Sequence, residues 1–280
     1  MTADAASISF DEFARLFEPC GGTDGVYLRD HFARFAYTLR EFSSTWDGKG
    51  RRLLDVGGGW MHQAVLFRQA GFEVTSADIA TVIWEPAKAA ARVHGFRILP
   101  FASLAAPVEI ESLPPDSFDV ILFSEIIEHI TFNPVRMWKA LYRVLAPGGR
   151  IVVSTPSYYS LQGRFWDPAR LAARMGGGLL VDEILLVHDT APHWKEYSMR
   201  ELHRYFRLLS PDFRIAKSLH VDGLYPEPWT GARRAAARVL KRHVPPLRQN
   251  LHVEVELAAK SAGIAIEPGW HWPKADYRVP

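Results

Sequence analysis

The run Leu53-Leu54-Asp55-Val56-Gly57-Gly58-Gly59 is a short apolar strand that closes on a carboxylate and breaks into three glycines. Glycine is needed where the backbone must approach a ligand without a Cβ, and where φ is positive. Downstream, Met61 to Ala70 has the spacing of a helix closed by Gly71. Glu73 to Asp78 (EVTSAD) reads as a second strand, and Asp78 ends it 21 residues beyond Gly57. In a doubly wound sheet, the glycine turn and Asp78 both lie at the carboxyl edge, beside the crevice where nucleotides sit. An acidic side chain placed there accepts both ribose hydroxyl protons.

The alternation continues outward. Pro86 to His94 reads as a helix ended by Gly95, and Phe96 to Leu99 as a third strand. Phe118 to Ser124 (FDVILFS) is the near-continuous apolar run expected inside a parallel sheet. Pro134 to Leu145 reads as a helix, Pro147-Gly148-Gly149 as a turn and Arg150 to Ser154 as a fifth strand. Strands alternating with helices imply right-handed βαβ units and an α/β, doubly wound, Rossmann-like sheet. Upstream, Leu28, Phe32, Phe35 and Leu39 fall at helical spacing within Val26 to Phe42, so residues 1–50 form a helical N-terminal extension. Thr155 to Tyr197 breaks the rhythm and reads as an inserted lid over the site. Ser198 and Glu201 then form a capping box for a helix to Leu208, and Phe213 to His220 and Leu251 to Ala259 read as the last two strands. The main domain is expected over residues 51–260, with an irregular tail at 261–280.

Of the 280 residues, 48% are apolar and 23% charged, with a net charge of +2. That balance argues against a cationic nucleic-acid coat and against an acidic disordered chain. The single cysteine, Cys20, permits neither an intrachain disulfide nor a multi-cysteine zinc site. Met1 to Phe10 has no basic n-region and no apolar h-region, and no apolar stretch reaches the roughly 18 residues of a membrane span. A cytoplasmic location is the expectation; the oligomeric state is not legible.

Two cofactor classes fit the turn. A dinucleotide fingerprint wants G-x-G-x-x-G, and His62 stands at the third position, which counts against a dinucleotide. The sulfonium nucleotide S-adenosyl-L-methionine (SAM) has no pyrophosphate, so its turn needs fewer glycines.

At this point the sequence resembles the class I SAM-dependent methyltransferases, through LLDVGGG (53–59), VTSAD (74–78), DSFDVILFSEIIEHI (116–130) and LYRVLAPGGRIVVSTP (141–156) in that order. The resemblance implies a seven-stranded sheet, mostly parallel with an antiparallel last strand. It implies that Asp55 and Gly58 belong to the cofactor turn and that Gly57 and Gly59 line the methionine moiety. Asp78 would hold the ribose, Ile79 would lie against the adenine, and Ser124 and Glu125 would follow at the cofactor's edge. One departure stands out: Pro100-Phe101-Ala102-Ser103-Leu104 lacks the acid that many relatives aim at the adenine amino group. Either Ser103 or backbone takes that contact, or the adenine pocket is looser.

Ser124-Glu125-Ile126-Ile127-Glu128-His129 follows the fourth strand directly. On a helical turn, Glu125, Glu128 and His129 would share one face. Two carboxylates and an imidazole suit Mg²⁺, Mn²⁺ or a related divalent ion. This motif with a later histidine resembles ubiquinone-biosynthesis O-methyltransferases and plant-type small-RNA 2'-O-methyltransferases. Carried over, that resemblance makes Glu125, Glu128, His129 and His193 the metal ligands, with His188 a less well aligned substitute. Metal-free relatives also carry Glu-His here. In such a pocket, His129 or His193 serves as general base, with Glu128 beside them.

Trp229 to Arg248 carries six basic residues and no acid, with Ala236, Val239, Leu240 and Val244 on a possible opposite face. It is a solvated helix, a peripheral membrane contact, or a surface that meets a phosphate-bearing substrate. Tyr158, Tyr159, Phe165 and Trp166 in the lid are either an acceptor wall or the lid's own core. The expected function is O-methylation of a hydroxyl on a small molecule, sugar (glycan) or prenylated phenol. Nucleic acid is disfavoured by the near-neutral charge. The alternatives are an NAD-dependent oxidoreductase and a non-catalytic SAM-binding partner protein.

Overall fold

A computed structural model describes residues 8–44, 46, 49–162 and 193–269. Helices α1 (Phe10–Arg15) and α2 (Gly25–Ser43) precede the sheet. Then come β1 (Arg52–Val56), α3 (His62–Gln69), β2 (Glu73–Ile79), α4 (Glu85–His94), β3 (Arg97–Phe101), α5 (Val108–Glu111) and β4 (Phe118–Ser124). After α6 (Val135–Val144), the chain runs through β5 (Leu145–Pro156), α7 (Met199–Leu209), β6 (Phe213–Val221), α8 (Gly231–His243) and β7 (Asn250–Leu257). The seven strands pair in the order β3-β2-β1-β4-β5-β7-β6, and β7 alone among them runs antiparallel to its neighbours β5 and β6. This is the doubly wound sheet expected from the sequence.

The apolar runs alternate across the sheet with a period of two, which puts a core on each face. Leu54, Val56, Ile121, Phe123, Ile151 and Val153 pack one way, onto α6 and α7, around the fully buried Trp138. Leu53, Val74, Val120, Leu122 and Val152 pack the other way, onto α2, α3 and α4. Trp138 also donates its indole N–H to Tyr205 Oη at 2.8 Å, so its one polar atom is satisfied. The capping box at Ser198 forms, with Ser198 Oγ accepting from Glu201 N and Glu201 reaching back to the Ser198 N–H.

Several boundaries differ from the sequence reading. Pro147-Gly148-Gly149 does not separate helix from strand; Leu145 already pairs with Phe118, and a bulge follows before Val120 meets Arg150. Of the 155–197 insertion, the two ends meet through a bridge between Ser157 and Tyr197, while Phe165, Trp166 and His188 lie outside the described residues. In α8 the buried positions are Ala237 and Lys241, and Val239, Leu240 and Val244 are exposed, so the expected apolar face does not face inward. Lys241 Nζ is held instead by Asp222 and Glu227 at 2.9 and 2.8 Å. In the tail, the N–H groups of Ser261 and Ala262 donate to Asp212, and Ile264 is buried against the core. No described helix is long and apolar enough to cross a membrane.

Candidate active site at the carboxyl edge of the sheet

The glycine turn leaves β1 beneath α2. Gly57 adopts φ 77°, and a Cβ on it would meet Ile126 Cδ1 at 2.0 Å. Gly58 is held close by Ser76, whose Oγ would lie 2.0 Å from an added Cβ. Protein packing therefore demands glycine at both, whereas Gly59 faces open space. Asp55 lies under the turn, accepts from Ser76 Oγ at 3.2 Å, and is pushed up to about 7 by its burial. Asp78, one residue before the end of β2, binds the turn to the strand: Oδ2 accepts from Gly59 N at 2.6 Å and Oδ1 from Ile79 N at 2.7 Å.

Three cavities meet here. The first, about 640 Å³, runs from Gly57, Asp78 and Ile79 past Phe101 and Ser103 to Ile126 and His129. Ser103 lies in its wall, and its Oγ accepts from Ala105 N. The second is small, about 80 Å³, between the glycine turn, Ser124 and α2. Four of its lining side chains carry buried polar atoms without hydrogen-bond partners among the described residues: Arg34 Nε, His62 Nδ1, Gln63 Nε2 and Ser124 Oγ. The third, about 410 Å³, is walled by α2, the 3₁₀ turn Ile127–His129, His193 and Glu196, and the loop at Tyr225. Glu125 lines all three, and His129 lines the first and third.

This arrangement fits SAM. A nucleoside has a cavity with Asp78 at its edge, and an amino-acid carboxylate has orphaned donors in the small cavity. Arg34 was missed in the sequence reading. It is 4% exposed, and although burial opposes its charge, Tyr225, Glu125, Tyr27 and Glu128 around it raise its pKa. Its position inside an amphipathic helix was the signal available: a cation on the apolar face of α2, one residue before Phe35. His62 is buried too, bonded through Nε2 to Thr23 Oγ1 at 2.7 Å, and its burial holds it down at about 3. A neutral imidazole packed edge-on to Phe17 occupies the place of a dinucleotide fingerprint's third glycine.

The Glu-x-x-Glu-His segment departs from the sequence reading. Glu125 is not on a helical turn; it takes the left-handed φ of 55°, and only Ile127–His129 form a 3₁₀ turn. The Glu125 carboxylate consequently belongs to a different set of partners, accepting from Ser154 Oγ, Asn250 Nδ2 and Tyr225 Oη at 3.0, 2.9 and 3.0 Å. Glu128, His129 and His193 do come together: one possible ligand atom from each lies within 4.8 Å of the others. Glu128 is fully buried, with Oε2 accepting from Thr155 Oγ1 at 2.9 Å and Oε1 unpartnered among the described residues. Burial, and then the charge of Glu125, raise its pKa well above the usual carboxylate range. The Glu128 carbonyl accepts from Trp194 N at 2.7 Å, which ties the segment at His193 to the turn. Glu196 Oε1 lies 3.5 Å from His193 Nδ1. The expected four-ligand set thus reduces to three, with Glu125 outside it. Tyr158 and Tyr159 pack edge-to-face against each other outside the third cavity, and Tyr159 is exposed.

Residues 27–209 match the family model described as a methyltransferase domain. A ubiquinone biosynthesis O-methyltransferase of Xanthomonas oryzae pv. oryzae is 26% identical over 235 residues, spanning 81% of this chain and 88% of that protein. A SAM-dependent methyltransferase structure from Mesorhizobium loti superposes with a TM-score of 0.52 at 19% identity, covering 78% of this chain and 97% of the other. One from Archaeoglobus fulgidus gives 0.50 at 19% identity, over 83% and 100%.

Proposed function

The chain belongs to the methyltransferase-domain family, as a class I SAM-dependent methyltransferase, and from that premise we propose that it methylates a hydroxyl oxygen of a small-molecule acceptor. The observation that carries this is the meeting of a nucleoside-sized cavity and a second cavity at Glu125 and His129, the place where a methyl donor and an acceptor would face each other. The match to O-methyltransferases by name favours oxygen as the acceptor atom. The NAD-dependent and non-catalytic alternatives fall with the family assignment.

In this reading, Asp78 holds the ribose, Ile79 borders the adenine, and Arg34, Gln63 and Ser124 receive the methionine end. Glu125 stays fixed by its three donors and shapes the junction between the cavities. The acceptor oxygen bonds to the methyl carbon as the carbon–sulfur bond breaks, the thioether product leaves, and the hydroxyl proton passes to an imidazole of the pair His129 and His193. Glu128, His129 and His193 also fit a divalent cation, a borderline one such as Mn²⁺ or Zn²⁺ better than Mg²⁺, because two imidazoles and a carboxylate with one oxygen unpartnered among the described residues are a suitable donor set. Such an ion, when bound, supplies a Lewis acid that lowers the acceptor hydroxyl's pKa. Thr155 fixes Glu128 for that task, and Glu196 stands where it can orient the His193 ring.

Methyl transfer from labelled SAM, assayed before and after EDTA treatment and on Mg²⁺ or Mn²⁺ addition, tests the reading. Loss in chelator with recovery on adding the ion is the expected result. Full activity in chelator removes the cation and leaves the imidazole base; transfer to nitrogen or carbon instead of oxygen removes the acceptor assignment.

A further inference from the structure

We propose that the acceptor is a compact polyhydroxylated molecule of the sugar or cyclitol class, carrying at least two hydroxyls besides the one methylated, seated between Glu196 and His31. This rests on the transfer reading above and names the substrate class of the same site.

Glu196 supplies the first requirement. It is 3% exposed, lines the acceptor cavity but neither cofactor cavity, and its Oε2 has no hydrogen-bond partner among the described residues. A carboxylate oxygen withdrawn from water in this way needs a donor, and the occupant of the cavity is the group placed to provide it. His31 supplies the second. Its Nδ1 lies 2.8 Å from the Tyr27 carbonyl, which can only accept, so Nδ1 carries the hydrogen. In the neutral ring, which burial favours, Nε2 is then a bare acceptor. Two acceptors on opposite elements of one cavity call for two O–H donors, in addition to the hydroxyl at His129 and His193.

In the rest of the wall, Ser160 Oγ accepts from Gln162 N and keeps its own hydrogen for one contact, while the other polar side chains are largely taken up. Gln249 spends Nε2 on Gln162 Oε1 and Oε1 on the N–H groups of Leu224 and Tyr225, and Ser157 Oγ donates to the Pro246 carbonyl. The ring of Tyr27 stacks on His31 with centroids 4.0 Å apart and offers a flat face. No aliphatic side chain other than Pro156 lines this cavity among the described residues. An isoprenoid chain laid here would leave Glu196 and His31 without donors. An anionic acceptor would face Glu125 and Glu196, with Arg34 already committed to the cofactor's carboxylate.

The test uses the full chain. Calorimetry with S-adenosylhomocysteine first checks the transfer reading by itself, and absence of binding would sink that reading rather than this one. Labelled SAM is then offered with methyl α-D-glucopyranoside, myo-inositol and 4-hexylcatechol. The proposal expects at least one polyol to be methylated, with a kcat/KM about tenfold or more above the catechol. It also expects Glu196→Gln to raise that polyol's KM about tenfold, with the S-adenosylhomocysteine affinity unchanged. If Glu196→Gln does not fold, His31→Phe serves for the same KM comparison. Preference for the catechol, methylation of neither polyol, or a KM that neither variant moves overturns the proposal.

Discussion

Glu125 and Glu128 stand three residues apart, yet among the described residues their carboxylates share no hydrogen-bond donor: Glu125 accepts from Ser154, Asn250 and Tyr225, and Glu128 accepts from Thr155 and leaves Oε1 buried without a hydrogen bond. The left-handed backbone at Glu125 produces the separation. One carboxylate is thereby saturated and structural at the cavity junction, while the other keeps an open coordination position beside His129 and His193. For Glu128→Gln the expectation is a loss of methyl transfer of about 100-fold and loss of stimulation by added Mn²⁺. Its affinity for S-adenosylhomocysteine should stay within about threefold of the parent. Steady-state kinetics and calorimetry on the same preparation check both halves.

Arg34 is assigned to the cofactor's carboxylate, and this can be isolated by choice of ligand. Arg34→Met should raise the Kd for S-adenosylhomocysteine roughly 30-fold, corresponding to about 2 kcal/mol for a charge-assisted contact. The Kd for 5'-methylthioadenosine, which lacks the amino-acid end, should be nearly unchanged. Equal losses for both ligands would mean that Arg34 only supports the fold.

Gly57→Ala brings together a positive φ and a Cβ directed at Ile126. The strain and the overlap together should cost about 2–4 kcal/mol in urea unfolding. Because the atom struck is the end of a side chain, Ile126→Ala in the same background should recover about 1 kcal/mol as a coupling in the double-mutant cycle. A cycle that closes with no coupling would contradict the packing described.

His62 carries a pH signature. Its folded-state value is about 3, against an ordinary 6.5, so the unfolded chain binds the extra proton first. The stability that its neutral, buried state contributes is fully present above pH 6.5 and is lost as pH falls from 6.5 toward about 3. His62→Phe should therefore lose less stability than the parent between pH 7 and pH 4, by a few kcal/mol at most. Urea titrations at pH 7, 5.5 and 4 read the difference; parallel pH profiles for the two proteins would contradict it.

Much of this was legible in the sequence because it lies in local pattern. The alternating strands and helices, the glycine turn and Asp78 near the end of β2 are encoded within short windows, and the seven-stranded sheet with its antiparallel last strand followed from the resemblance carried by the motifs. The parts that were not legible depend on backbone details or on long-range contacts. A φ of 55° at Glu125 moved that carboxylate away from the turn shared by Glu128 and His129, and nothing in Glu-x-x-Glu-His announces it. Arg34 enters the site from a helix about 20 residues before the glycine turn, and only the packing of α2 over β1 brings it there. Glu196 gained its meaning from burial, which its neighbours Trp194, Lys195 and Tyr197 do not foretell.

The central claim is that the turn at Gly57 to Gly59, Asp78 and Arg34 form one binding site for the methyl donor. Titration calorimetry of the purified chain with S-adenosylhomocysteine addresses it most directly. Saturable 1:1 binding that weakens about tenfold or more in Asp78→Ala is the expected result. No heat of binding to the parent protein, or equal affinity in Asp78→Ala, would contradict the account.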